Sequence, residues 1–264
     1  MAFTDTNVEL DGCRVHLRRG GTGKPLVFLH GASGAPVILP FMEKLAGRFD
    51  VLVPEHPGYG RSDEPEWLEN IHDMAYFYLN FIEKLNLKDL TLIGSSMGGW
   101  IAMEMAVRNT SRIASLVLVG PAGIAAPGVE PADIFLMSPE DLIRNLFVDE
   151  KLTAARLAEP VTPESIDTGL KNRHTTARLA WEPRLHDPFL PKWLHRIGVP
   201  VKIIWGRQDR IFPIGFIDFY RKILPKAEID IFENCGHLPH AEMPDQFCDS
   251  VIRFCASSAD RACR

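Results

Sequence analysis

The chain has 264 residues, 46% of them hydrophobic and 24% charged, and carries a net charge of −5 from 29 basic and 34 acidic side chains. That balance suits one folded body with a sizeable core and excludes a global cationic field that would draw the chain to nucleic acid. No stretch approaches the ~18 consecutive apolar residues of a membrane helix.

The opening Met1 to Leu10 lacks the basic-then-apolar order of a secretory signal. Five cysteines without CxxC spacing suit reduced thiols rather than a disulfide framework. A cytoplasmic protein acting on a small molecule, with neither nucleic acid nor membrane as partner, is the expectation. Monomer and homodimer both stay open.

In chain order, Val8-Glu9-Leu10 and Cys13 to Leu17 flank Asp11-Gly12, the pattern of an antiparallel hairpin. Four apolar runs follow, Leu26 to Leu29, Val51 to Val53, Leu90 to Ile93 and Leu116 to Val119. Strands apolar on both faces belong to a parallel sheet covered by helices. Helical patterns at Ile71 to Leu85 and Trp100 to Val107 complete βαβ units.

After Gly120-Pro121 the strand signal stops, and from Pro127 to Pro191 helix starts replace it. Ser138-Pro139-Glu140-Asp141 offers a capping serine, a proline at the first helical position and an acid at the third; Thr162-Pro163-Glu164 begins similarly. This arginine-rich block reads as a helical insertion over the sheet. Strands resume at Val201 to Trp205 and Ile229 to Phe232, and Phe247, Val251, Ile252 and Phe254 mark a final amphipathic helix. The tail from Ala256 to Arg264 is expected to fray.

Gly94-Ser95-Ser96-Met97-Gly98 stands directly between a strand and a helix. A G-x-S-x-G there makes a sharp turn that holds its serine in a strained conformation at the carboxyl end of the sheet. A glycine-rich loop without chemistry is the plain alternative; the strand–turn–helix order favours Ser96 as a nucleophile. A serine hydroxyl attacks only if a base takes its proton, and a carboxylate must orient that base. Asp209 and His237 lie just past the last two strands, at the edge that presents Ser96.

Asp218, Glu233 and His240 are the rivals. Asp218 falls within a helical pattern, and Glu233 continues a strand. His237 and His240 could pass for metal ligands, but no helical H-E-x-x-H or cysteine set accompanies them. Neither a metal nor a cofactor is expected.

Oxyanion donors should be backbone N–H groups: Met97 after the nucleophile, and Ala32 in the small-residue loop His30-Gly31-Ala32-Ser33-Gly34, with the Ser33 hydroxyl as a further donor. His30 reads as structural.

Taken together, His30-Gly31, Pro57 to Asp63, the turn around Ser96, Trp205 to Asp209 and Gly236-His237 resemble the α/β-hydrolase superfamily over almost the whole chain. The resemblance implies an α/β fold with a mostly parallel central sheet of about eight strands flanked by helices, and a helical cap after the sixth strand. Residues 1–126 and 191–264 would form the core and 127–190 the cap. A serine at the turn separates the chain from relatives that use aspartate there. Ser95-Ser96-Met97-Gly98-Gly99 and Cys235-Gly236-His237 also look like carbon–carbon hydrolases of aromatic ring-fission products. Those enzymes commonly have asparagine before the nucleophile and tryptophan after the histidine, where this chain has Ser95 and Leu238. Their cap arginine grips a substrate carboxylate, a role open to Arg184 or Arg178.

The expected activity is hydrolysis of carboxylic esters, lactones included, of small to medium apolar substrates through an acyl-enzyme. The candidate substrate contacts are Ser33, Trp181, Arg184 and Leu238. A carbon–carbon hydrolase is the alternative enzyme, and a ligand sensor that keeps the hydrolase fold is the alternative outside catalysis.

Overall fold

The structure is a computed structural model that describes residues 2–262, with the side chains of residues 259–262 excepted. Its centre is an eight-stranded sheet in the order β1-β2-β4-β3-β5-β6-β7-β8. The strands are β1 (Thr4–Leu10), β2 (Cys13–Gly20), β3 (Lys24–Leu29), β4 (Phe49–Pro54), β5 (Leu90–Ser95), β6 (Ile113–Val119), β7 (Val201–Gly206) and β8 (Glu228–Phe232). β3 to β8 pair in parallel, and β2 runs antiparallel to β4. The β1–β2 hairpin closes with Leu10 opposite Cys13. Asp11 and Gly12 both take positive φ, +53° and +72°, as a two-residue turn between twisted strands requires.

Helices cover both faces. α1 (Pro40–Ala46) and α9 (Pro244–Ala262) lie on one, while α2 (Ile71–Lys84), α3 (Met97–Arg108) and α7 (Phe216–Ile223) lie on the other. Successive strand residues feed opposite cores, which is why the strands read as continuous apolar runs. Leu92 and Leu116 pack with Phe81, Trp205 and Tyr220. Their neighbours Ile93 and Val117 pack with Phe28, Phe41 and Phe247.

Between β6 and β7 the chain forms α4 (Pro139–Leu146), α5 (Glu150–Leu157) and α6 (Pro163–Ala180), and a short α8 (Pro239–Glu242) follows β8. The expected caps are in place. Ser138 accepts the Asp141 N–H, and Thr162 accepts that of Ser165. α5, capped by Asp149, has no counterpart in the sequence analysis, because it lacks the first-turn proline that marks the starts of α4 and α6 and buries no residue.

α6 is held to the loops after β3 and β4 by polar side chains that grip main-chain groups. Thr175 Oγ1 donates to Gly58 O at 2.7 Å, Lys171 Nζ to Ser62 O at 2.6 Å and Asn172 Nδ2 to Ser33 O at 3.1 Å. Asn172 Oδ1 in turn accepts the Gly60 N–H at 2.9 Å.

α9 continues to Ala262, further than the fraying expected from Ala256; Cys263 and Arg264 lie outside the described residues. The four described cysteines are free thiols. Among the described residues no helix is long and apolar enough to cross a membrane.

Candidate active site

Ser96 sits between β5 and α3 with φ +53° and ψ −118°, a backbone conformation that a non-glycine residue holds only when its surroundings impose it. Here they do. The Ser96 N–H donates to Val119 O at 2.9 Å, and its carbonyl accepts from Gly99, Trp100 and Ala122. The glycines follow from crowding. A β-carbon on Gly94 would meet Gly98 O at 2.3 Å, and one on Gly98 would meet Leu29 O at 2.1 Å. At Gly31 a β-carbon would lie 3.1 Å from that of Ser96, so the loop after β3 closes directly over the serine.

Asp209 is buried in the loop after β7. Its Oδ1 accepts the N–H groups of Ile211 and Phe212 at 2.8 and 2.9 Å. Its Oδ2 lies 2.8 Å from His237 Nδ1. A carboxylate oxygen in that position makes Nδ1 the donor and leaves the Nε2 lone pair for another group. His237 is buried as well, and its backbone N–H donates to Leu146 O at 2.8 Å. Gly120, at φ +46°, passes so close that a β-carbon would meet His237 Nδ1 at 3.2 Å and Asp209 Oδ2 at 3.3 Å.

Ser96 and His237 line one cavity, with Ala32, Ser33, Met97 and Leu238 also in its wall. The wall is otherwise mostly apolar, with Ile134, Leu142, Leu146 and Leu185 from the insertion and Ile211 and Phe212 from the loop that carries Asp209. Met97 opens α3, where first-turn N–H groups have no partner within the helix. Gly31 to Gly34 form a tight turn closed by Gly34 N–H to Gly31 O at 3.1 Å.

The His30 ring is committed to backbone. Nε2 accepts the His56 N–H at 3.0 Å, Nδ1 lies 2.8 Å from Gly31 O, and complete burial lowers its pKa to about 4.

The other expectations fare differently. Asp218 pairs with Arg221 and Glu233 with Arg207, both pairs at the surface. Trp181 and Arg184 are not brought to the cavity. The Arg184 guanidinium pairs with Asp133 and lies 4.1 Å from the Trp181 ring centroid, and Trp181 is itself half exposed. A nearby carboxylate and an aromatic face outcompete an apolar pocket for a cation. Arg178 is drawn to Glu64 at 3.1 Å for the same reason. Among the described residues no lysine or arginine lines the cavity.

Of two further contributors, His240 is weighed in the sequence as a rival base and Glu242 is not singled out there. His240 belongs to the cavity wall. Glu242 staples the His237 loop to the insertion: Oε2 accepts the Gly236 N–H at 2.6 Å, while Oε1 accepts those of Val148 and Asp149 at 2.6 Å each. The only hint of Glu242 in the sequence is an acid shortly after the histidine, which fixes no partner. A second, more open cleft, lined by Tyr76, Phe189 and Trp193 above Glu104 and Arg108, contains none of the candidate residues.

Residues 26–250 match the family model described as Alpha/beta hydrolase family. The chain belongs to the alpha/beta hydrolase family. Among its hydrolase relatives is the 2-hydroxymuconate semialdehyde hydrolase of Pseudomonas sp. strain CF600. It is 27% identical over 262 residues, spanning 94% of this chain and 92% of that protein. The pimeloyl-[acyl-carrier protein] methyl ester esterase of Nitrosomonas europaea is 28% identical over 260 residues, covering 88% and 96%. The crystal structure of an esterase from Rhodococcus sp. ECU1013 superposes with a TM-score of 0.77 at 21% identity, over 97% of this chain and 99% of that one, a likeness of fold.

Proposed function

We propose that this alpha/beta hydrolase is a serine esterase that cleaves carboxylic esters of small to medium, largely apolar substrates through an acyl-enzyme. The observation that carries the reading is the strained Ser96 opening into the same cavity as a histidine whose other ring nitrogen is fixed by a buried carboxylate at 2.8 Å. In this reading His237 Nε2 takes the Ser96 proton as Oγ attacks the ester carbonyl, then delivers it to the departing alkoxide. Asp209 holds the tautomer and stabilises the imidazolium. The N–H groups of Met97 and Ala32 receive the oxyanion. A water deprotonated by His237 then attacks the acyl-enzyme, and Ser96 leaves with its proton restored. Residues 127–190 act as a cap whose Ile134, Leu142, Leu146 and Leu185 shape the pocket.

The test is a series of p-nitrophenyl esters of graded chain length, assayed with Ser96→Ala and His237→Ala beside the wild type. Each substitution should lower turnover by roughly 10⁴–10⁶-fold in a folded protein. Ser96→Ala turnover within tenfold of wild type would refute the reading. A slow single turnover with a large ligand-induced rearrangement would instead identify a sensor.

Carbon–carbon bond hydrolysis is the second reading, supported by the likeness to 2-hydroxymuconate semialdehyde hydrolase. An acidic ring-fission substrate calls for a cation to receive its carboxylate, and the cavity wall holds no lysine or arginine among the described residues. The ester should therefore turn over faster than a ring-fission dienoate.

A further inference from the structure

α6 buries five residues, and three of them, Asn172, Thr175 and Thr176, are polar. A helix that only roofed a core would turn an apolar stripe inward, and a polar side chain is costly to bury unless it is bonded. Each of the three reaches main chain outside α6.

Asn172 and Thr176, four positions apart, share one face of the helix and meet the turn that carries Ala32. Asn172 Nδ2 donates to Ser33 O at 3.1 Å, and Thr176 Oγ1 lies 3.4 Å from Ala32 O. Gly34, at φ +84°, makes room for this approach, since a β-carbon there would meet Asn172 Nδ2 at 2.7 Å. The carbonyl before these two, Gly31 O, accepts the Gly34 N–H at 3.1 Å and lies 2.8 Å from His30 Nδ1. Three successive carbonyls are thus held, two of them by α6. Because each peptide is planar, fixing the planes on both sides of Ala32 fixes the direction of its N–H. Thr176 reaches the other donor residue too. Its Oγ1 lies 2.7 Å from the Tyr59 hydroxyl, which sits 3.4 Å from Met97 Sδ.

We propose that Asn172 and Thr176 are positioning residues that hold the Ala32 and Met97 N–H groups where a developing oxyanion meets them, so that the seating of α6 governs kcat. This rests on the serine-esterase reading above. Thr175 supplies the contrast, because its hydroxyl donates to Gly58 O in the loop after β4 instead.

Ester kinetics on Asn172→Ala and Thr176→Val test the clamp, with Thr176→Ser and Thr175→Val beside them. Oxyanion donors act in the transition state, so the first two variants should lower kcat by about 10–10²-fold while KM stays within about threefold. Thr176→Ser keeps the hydroxyl and should stay within about twofold of wild type, as should Thr175→Val, whose loss shows only in Tm. Hydrogen exchange at the Gly34 N–H, which closes the turn, should quicken about tenfold in Asn172→Ala and not in Thr175→Val. Asn172→Asp keeps the acceptor for Gly60 and loses the donor to Ser33, and it replaces Asn172→Ala if that variant does not fold. Wild-type kcat in both Asn172→Ala and Thr176→Val would overturn the clamp and leave the esterase intact. So would an equal fall of kcat in Thr175→Val, which would reduce α6 to a general support. If the wild type hydrolyses no ester, the esterase reading falls and hydrogen exchange alone decides the clamp: exchange of Gly34 at the wild-type rate in Asn172→Ala would refute it.

Discussion

Removing the Glu242 carboxylate should loosen the His237 loop and the insertion together. That carboxylate accepts three backbone N–H groups at 2.6 Å, one from the residue before His237 and two from the start of α5. Hydrogen bonds to a charged acceptor contribute about 1.5–3 kcal/mol each. The Asp149 N–H is exposed and can turn to water, so the Gly236 and Val148 bonds set the magnitude, about 3–6 kcal/mol for Glu242→Ala. A domain of this size has ~10 kcal/mol of stability and shifts by about 2–4 °C per kcal/mol. The variant should therefore remain folded with Tm lowered by about 10 °C. Catalysis should suffer more than folding. His237 N–H is bonded to Leu146 O beside the same staple, and a misplacement of about 1 Å at a catalytic group costs up to ~10²-fold. Thermal unfolding and ester kinetics measured in parallel decide the matter, with kcat expected to fall by at least about tenfold. A Tm within about 2 °C of wild type together with turnover within twofold would refute the staple.

Gly98→Ala should yield little folded protein, because its β-carbon would meet Leu29 O at 2.1 Å and His30 O at 2.6 Å; circular dichroism showing a melting transition within about 3 °C of wild type would contradict this. Stability should fall on mild acidification through His240, whose pKa drops from 6.5 to about 3 in the folded chain. Above 6.5 the contribution is complete. Below it the unfolded chain takes up a proton that the folded one refuses, at ~1.4 kcal/mol per pH unit. Between pH 7 and pH 5 wild type should thus lose about 2 kcal/mol more than His240→Leu in urea unfolding, and equal losses would remove His240 from the account.

The sheet was legible because each apolar residue in a strand has one of two cores to enter, as Leu92 and Ile93 do. Asp11-Gly12 announced the hairpin through the positive φ that both residues adopt. The turn at Ser96 was legible for a steric reason, since Gly94 and Gly98 stand where other backbone leaves no room for a β-carbon. The placement of Asp209 and His237 past β7 and β8 could be read from strand order alone. Cavity contacts from the insertion could not. Arg184 faces away because Asp133, far back in the chain, captures its charge beside the ring of Trp181. Choosing among partners of one cation needs three-dimensional distances. Glu242 stayed hidden for the same reason, since its partners are main-chain groups, which carry no sequence signature.

β6 and β7 pair side by side although residues 120–200 intervene. The entropy of closing such an excursion grows only with the logarithm of its length, so doubling it would cost roughly 0.6 kcal/mol. Strand register and the sheet edge that carries Ser96 would barely register the change. Provided that α6 keeps its seat, a segment of another size and amino-acid make-up could be spliced between Val119 and Val201, giving the same chemistry a new set of walls.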